Sequence, residues 1–346
     1  LAPDRGAPYT GRMSQTVVYG ESMYPDDAVE RAVFPPGTRL AMRGAATLAD
    51  LPEADRAAAD GLMIFRQFLT AADLARFPRL RAVVRMGVGY DRLDRAACAE
   101  RGILVCNVPD YGTTEVADHA IALALALRRG LLLHHDAQRA APPAEWAPID
   151  HALVRRLGVQ GFGIVGLGRI GTAVALRAKA LGFRVMFHDP ALPNGTELAI
   201  GIGRAATLDA LLAEADVLSL HTPATPATRG LIDAARLARL PPGAVLVNTA
   251  RGPIVDLDAL EAALRDGHLA GAGLDVLPVE PPEEPPHPLL AAYRARAPWL
   301  LGRLIVTPHS AFHSPQAWAD IRRKSAETMA AALAGTPRNV VAPGDP

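Results

Sequence analysis

The sequence predicts an α/β protein built from two parallel-sheet domains, and three observations predict it. Short β-rich runs alternate with helical patterns along most of the chain, a βαβ spacing that implies parallel strands. The alternation occurs twice, on either side of a Pro/Ala-rich connection at Ala140–Pro148. The chain has 346 residues, more than one typical core accommodates. Its apolar content of 50% supplies material for sizeable cores.

In the first series, Val17–Tyr19, Gly61–Phe65, Leu80–Arg85 and Ile103–Cys106 read as strands. A helix is expected over Thr70–Phe77, opened by a threonine cap and closed by Pro78, and another over Asp91–Glu100, stopped before Gly102. Thr114–Arg128 reads as a longer helix, with Thr114 as its cap and Glu115 and Asp118 suited to its first turn. Beyond His119 it is apolar nearly all round, so burial between domains or subunits is expected. His119 reads as a packed helix histidine, and His134 and His135, in a polar helical stretch, as solvated. The second series comprises Phe162–Val165, Arg184–His188, Val217–His221, Ala244–Asn248, Gly271–Val276 and Leu304–Thr307. Residues 1–13 carry charges and prolines but no apolar core; they read as a disordered leader or an expression remnant, and the fold is expected to begin near Ser14.

Composition excludes some classes of function. Lys+Arg and Asp+Glu both number 36, which argues against bulk nucleic acid or an anionic membrane as partner. Two cysteines, Cys98 and Cys106, offer no disulfide framework and fit a reducing cytoplasm. The longest smooth apolar run, Ala120–Leu127, is too short to span a bilayer.

The most informative stretch is FGIVGLGRIGTAVALRAKALGFRVMFHDP, Phe162 to Pro190. A buried strand ends in Gly166-x-Gly168-x-x-Gly171 and a helix begins at once. The first glycine permits a tight turn, the second lets the backbone approach a pyrophosphate, and the third allows close helix–sheet packing. The helix start, at Arg169 and Ile170, offers free N–H groups and a positive dipole end to phosphates. A second strand ends in Asp189, about 20 residues on, placed to bind a ribose 2′-hydroxyl. A carboxylate there repels a 2′-phosphate, so NAD is expected over NADP.

Later strand ends are polar where a cofactor should lie. They carry His221, Thr222 and Pro223; Asn248, Thr249, Ala250 and Arg251; Asp275, with Glu280 beyond; and His309. Thr228, just past the first of these ends, is a further expected cofactor contact. In TPHSAFH, Thr307–His313, two histidines stand four apart, as helical metal ligands would. Pro308 and Pro315 disfavour a helix carrying both, and no other Cys/His cluster has ligand spacing, so no metal is expected. His309 is instead expected to be an acid/base group at a strand end, and His313 a structural or rim residue.

GLGRIG, NTARG, the LDV…E segment and TPH stand in the order seen in the D-isomer-specific 2-hydroxyacid dehydrogenases, which the chain resembles from about Val17 to Val341. RMGVGYDRLD and NVPDYGTTEVADHA resemble that family's substrate loop and hinge helix. CNVPDYGTTEVADHA and RIGTAVALRAKALGF are similar to the branch holding the C-terminal-binding-protein corepressors, with phosphoglycerate and glyoxylate/hydroxypyruvate dehydrogenases also close.

The resemblance implies a Rossmann-like NAD-binding domain, residues 113–312, inserted into a discontinuous flavodoxin-like substrate domain, residues 14–112 and 313–341. Substrate would lie in the cleft between them, and the hinge helix would support a homodimer. The implied reaction interconverts a small D-2-hydroxy acid and a 2-oxo acid with NAD. Arg251 matches the arginine that grips substrate, His309 the acid/base and Glu280 its partner carboxylate. Val88 and Gly89 match the loop whose N–H groups meet the substrate carboxylate. Cofactor contacts are expected from the glycine loop, from Asp189, and from the strand ends through Arg251, Asp275 and His309. These roles also make chemical sense unaided. Oxidising a hydroxy acid requires a group that takes the hydroxyl proton near neutral pH, and arginine offers a planar fork for a carboxylate.

Two other readings share the motifs. An NAD(H)-sensing scaffold like the corepressors would keep the same triad, although such a scaffold is expected to carry long disordered flanks. Formate dehydrogenases resemble the chain but carry Gln where Glu280 stands. One departure from the family is the longer spacing between Glu280 and His309. The added length around Ala291–Leu301, with Tyr293, Arg294, Arg296 and Trp299, is expected to be a lid or a surface elaboration.

Overall fold

The computed structural model describes residues 15–21 and 23–344, so the leader expected at residues 1–13 lies outside the described residues. The chain divides into two compact units, one holding residues up to 111 together with those from 314 on, the other residues 112–313.

The first unit runs β1 (Thr16–Tyr19), α1 (Ala28–Val33), β2 (Arg39–Met42), α2 (Glu53–Ala58), β3 (Gly61–Ile64), α3 (Ala71–Leu74), β4 (Ala82–Arg85), α4 (Arg95–Glu100) and β5 (Leu104–Cys106). Its sheet is parallel throughout, in the order β2-β1-β3-β4-β5, a doubly wound arrangement. β1 and β3 are buried along their whole length, as strands covered on both faces should be. β2 was not expected from the sequence: it is a short edge strand whose RLAM lacks alternation. Thr70 caps α3, accepting from the Asp73 amide while the Asp73 carboxylate accepts from the Thr70 amide. α4 starts four residues later than expected, because Asp94 is its cap and accepts from Ala97 N–H.

The second unit opens with two helices, α5 (Thr113–Arg128) and α6 (Leu131–Arg139). It continues through β6 (Gly161–Val165), α7 (Arg169–Ala180), β7 (Arg184–His188), α8 (Thr196–Ile200), β8 (Gly203–Arg204), α9 (Leu208–Glu214) and β9 (Val217–Leu220). It then runs α10 (Ala234–Leu237), β10 (Ala244–Asn248), α11 (Leu257–Arg265), β11 (Leu269–Leu274), α12 (Pro288–Arg294) and β12 (Leu304–Val306). The seven parallel strands lie in the order β12-β11-β10-β9-β6-β7-β8. The chain winds outward from β6 to β8 and then restarts at β9 on the other side of β6. That reversal opens a crevice at the carboxyl ends of β6 and β9, where ligands of such sheets bind.

α5 packs on α7, β10 and β11, with Ala117, Ala120, Ala124 and Leu127 fully buried. Gly273 lets it approach, since a Cβ there would lie 3.0 Å from Leu123 Cβ. Thr114 does not cap this helix; the cap is Gly112, and the Thr114 hydroxyl turns to Glu115. Asp118 instead pairs with Arg177 of α7 at 2.6 Å. His134 is not solvated: its ring bonds the Gly130 carbonyl and accepts from Ile149 N–H, tying the 140–150 connection to α6.

After the second unit the chain re-enters the first as α13 (Pro315–Leu333), capped by Ser314. α13 packs on α1, β3, β4 and β5. Arg322 on this helix meets the buried Glu30 at 2.7 Å and lies over the Tyr24 ring. No helix among the described residues is long and apolar enough to cross a membrane.

Candidate active site

The glycine turn sits between β6 and α7. Gly166 has φ +86°, a conformation that favours glycine. A Cβ on Gly171 would lie 2.2 Å from the Gly166 carbonyl oxygen, so only glycine closes the turn. A Cβ on Gly168 would meet nothing within 4 Å. The turn is therefore tight beneath and open above, beside the first amides of α7, which a helix leaves unpaired. Asp189, at the end of β7, accepts from Leu167 N–H (2.9 Å) and Ala191 N–H (3.0 Å), so one of its oxygens also braces the turn.

His221 follows β9 and donates its own N–H to Val165 O (2.8 Å). Its Nε2 lies 2.8 Å from Ser219 Oγ, while its Nδ1 is buried with no partner among the described residues. Burial pushes this imidazole down to about 3, so the ring is neutral. Thr228 closes the next turn, donating to Pro223 O (2.6 Å) and accepting from Thr225 N–H (2.8 Å). At the end of β10, Asn248 accepts from Ala250 N–H (3.0 Å) and donates to Arg251 O (2.9 Å), which fixes the turn carrying Arg251. The Thr249 hydroxyl is buried without a partner among the described residues. Two orphaned buried polar atoms and the open cradle over Gly168 fit a dinucleotide lying across these strand ends.

His309 and Glu280 come together despite their sequence separation. His309 Nδ1 lies 2.7 Å from Glu280 Oε2, and Glu280 Oε1 accepts from Leu277 N–H at 2.9 Å. An ionised carboxylate only accepts, so Nδ1 carries the proton and Nε2 remains for chemistry. His309 has φ +51°, a left-handed conformation that costs about 1–2 kcal/mol for a residue with a Cβ.

Sequence reasoning missed what holds that conformation. Asp275, at 2% exposure, was expected to be a cofactor contact. Its carboxylate accepts from the Thr307 hydroxyl (2.6 Å), Ser310 N–H (2.9 Å) and Ala311 N–H (3.0 Å). Its carbonyl accepts from His309 N–H (2.7 Å). His119, read from the sequence as a packed helix histidine with a functional role left open, places Nε2 3.0 Å from the Thr307 hydroxyl. The cue in the sequence was a histidine at the head of a helix's long apolar stretch.

His309 and His313 stand in a loop that ends before α13, not on a helix. His313 donates its amide to Ser310 O (2.8 Å) and packs edge-on against Phe312. The added segment between Glu280 and His309 is anchored: Leu289 and Leu300 are buried in the core, and Tyr293 and Trp299 pack against it. Arg303 locks its end, donating to the carbonyls of Trp299, Ala270, Leu264 and Leu269. In this conformation the segment packs as part of the second unit. Val88 and Gly89 lie in the first unit, on the loop after β4, where Asn107 Nδ2 donates to Val88 O (2.7 Å).

Comparison with known proteins follows this geometry. Residues 121–311 match the family model of the D-isomer specific 2-hydroxyacid dehydrogenase, NAD binding domain. The chain is 38% identical over 290 residues to a D-3-phosphoglycerate dehydrogenase of Mycobacterium leprae, covering 83% of this chain and 51% of that protein. It thus spans about half the length of the curated relatives it matches. Among solved structures it superposes on the TT0316 protein from Thermus thermophilus with TM-score 0.78 and 35% identity, over 94% of this chain and 100% of that one. It also superposes on a D-lactate dehydrogenase from Aquifex aeolicus complexed with NAD and lactic acid, with TM-score 0.78 and 29% identity, over 93% and 96% of the two chains.

Proposed function

The chain belongs to the D-isomer-specific 2-hydroxyacid dehydrogenase family and carries its NAD-binding domain, and from that premise we propose that it interconverts a D-2-hydroxy acid and a 2-oxo acid. The observation that carries the proposal is the His309–Glu280 pair: a half-buried imidazole at a strand end, its Nδ1 held 2.7 Å from a carboxylate. When bound, NADH supplies the hydride. In the direction of reduction, His309 Nε2 gives its proton to the carbonyl oxygen as the hydride reaches the adjacent carbon. In the reverse direction the same nitrogen removes the hydroxyl proton. Glu280 orients the ring by accepting from Nδ1. Arg251 holds the substrate carboxylate with its planar fork, and the amides of Val88 and Gly89 supply further donors to that group.

The cofactor reading assigns the pyrophosphate to Gly166, Gly168, Arg169, Ile170 and Gly171, and the adenosine ribose to Asp189. NAD is preferred over NADP because Asp189 presents negative charge where the 2′-phosphate would stand. His221, Thr222, Pro223 and Thr228 line the next strand end. Thr249, Ala250 and Arg251 line the following one, and Asp275 and His309 lie toward the nicotinamide. A cytoplasmic homodimer is the assembly we infer, with α5 as its supporting helix.

A panel of glyoxylate, hydroxypyruvate and longer 2-oxo acids, each with NADH and followed by NADH absorbance, tests the activity. Turnover of at least one is expected, with the D-configuration wherever the product is chiral. Tight NADH binding with no turnover of any would refute the dehydrogenase reading and point to a cofactor-sensing scaffold.

A further inference from the structure

We propose that His119 on α5 is a positioning residue for His309, acting through the Thr307 hydroxyl and the buried Asp275 carboxylate. The inference rests on the proposed role of His309.

The direction of each bond follows from proton count. Asp275 Oδ1 and the Thr307 hydroxyl are 2.6 Å apart. A carboxylate only accepts, so the single hydroxyl proton goes to Asp275. His119 Nε2, 3.0 Å from the same hydroxyl, therefore donates to its lone pair. The result is a chain from His119 Nε2–H to Thr307 and on to Asp275. His119 Nε2 stands 3.8 Å from Asp275 Oδ1, beyond hydrogen-bond reach, so Thr307 is the necessary intermediary.

Asp275 passes the constraint to the loop. Its two carboxylate oxygens take Ser310 N–H and Ala311 N–H, and its carbonyl takes His309 N–H. These bonds bracket His309 and hold its φ at +51°. Residues 307–311 lie outside helix and strand. Beside the Asp275 contacts, Thr307 N–H meets Leu274 O (2.9 Å) and His309 N–H also meets Thr307 O (3.0 Å), so Asp275 supplies most of the bonds that shape the loop. α5 packs on β11, the strand that ends beside Asp275, and His119 ties this helix to the loop. A histidine only filling space would not need a hydroxyl partner, and an apolar residue on this mostly apolar helix would serve equally.

The test compares His119→Leu and Thr307→Val with the conservative His119→Gln and Thr307→Ser, in the full chain. Three quantities are read: kcat with NADH and hydroxypyruvate or glyoxylate, the NADH dissociation constant by fluorescence, and amide hydrogen exchange of residues 307–311 without cofactor. In the two apolar variants kcat should fall by about 10- to 100-fold, the scale of an ångström-sized misplacement. NADH affinity should be unchanged, and exchange at His309 and Ser310 should accelerate. The two conservative variants should recover most of both losses. Unchanged kcat and exchange in His119→Leu, or a loss that His119→Gln fails to recover, overturns the proposal. If the wild-type protein reduces no 2-oxo acid, the dehydrogenase reading fails separately and exchange alone decides this one. Acceleration in the apolar variants with recovery in the conservative ones supports it, and unaltered exchange overturns it.

Discussion

Gly171 and Gly168 are three residues apart in one motif, yet the structure assigns them opposite consequences on substitution. In Gly171→Ala the new Cβ would sit 2.2 Å from the Gly166 carbonyl oxygen, more than an ångström inside ordinary contact. That atom is backbone and cannot swing aside, so the turn or the start of α7 must shift. Overpacking of this kind costs about 1–3 kcal/mol. In a unit of this size each kcal/mol lowers Tm by about 2–4 °C, so a loss of about 2–12 °C is expected without any ligand. Gly168 has φ −70° and ψ −161°, which alanine adopts without strain, and its Cβ would point into open space. Gly168→Ala should therefore leave Tm unchanged in the cofactor-free protein. Its Cβ would occupy space that a pyrophosphate needs, so NADH affinity should fall at least about tenfold, a loss of about 1.4 kcal/mol. Scanning calorimetry without cofactor and NADH fluorescence titration, run on both variants, separate the two effects. Equal Tm losses in the two variants, or wild-type NADH affinity in Gly168→Ala, would refute the reasoning.

Three further outcomes are expected. His309→Asn should cut turnover by roughly two to four decades while NADH binding survives, with Glu280→Gln losing less and His313→Asn least; rates at saturating NADH check the order, and loss confined to His313→Asn reverses the assignment. Asp189→Ala should weaken NADH binding and narrow the preference over NADPH, and equal wild-type affinities for the two cofactors would remove its basis. Because burial holds His221 down to about 3, the unfolded chain binds a proton below about pH 6.5 that the folded ring refuses. This contribution to stability is complete above that pH and falls by about 1.4 kcal/mol per unit as pH drops toward 3. Urea midpoints at pH 7 and pH 5 should differ less in His221→Gln than in wild type, and an identical pH dependence contradicts this.

The fold was legible at several strands buried along their whole length. β6, β9 and β10 read as apolar runs bounded by turn residues, and the observed limits differ from the expected ones by at most one residue. β11, equally buried, begins and ends two residues earlier than expected. β2 and β8 escaped because an edge strand of two to four residues has too little buried surface to impose a pattern. The start of α5 was misplaced for a different reason. A threonine hydroxyl can cap a helix or bond its own neighbour, and at Thr114 the adjacent Glu115 carboxylate wins. The Ala140–Pro148 connection looked like a boundary by composition, yet it lies inside the second unit, held there in part by His134.

The candidate site divides along the same line. The residues proposed to meet a ligand were named because a charged or polar group at or just beyond the end of an apolar strand stands out: Arg251, Glu280 and His309 all came from such positions. The residues that hold them in place were invisible or misread, because their partners are distant in sequence. Asp275 reaches 32 to 36 positions onward for its three carboxylate bonds, and His119 reaches 188 positions to Thr307. No local pattern encodes such a pairing. What the sequence does contain is the anomaly: an aspartate closing a fully buried strand and a histidine on an apolar helix. A polar group buried at that depth must be satisfied by something. Asp275 already has donors from three residues of the 307–311 loop, so its role in shaping that loop stands whether or not it also meets the cofactor. Losing it would free the backbone of His309 as well as remove a carboxylate. For that reason Asp275 is a poor variant for separating cofactor binding from catalysis, and Thr307, which touches the same oxygen through one hydroxyl, is the better one.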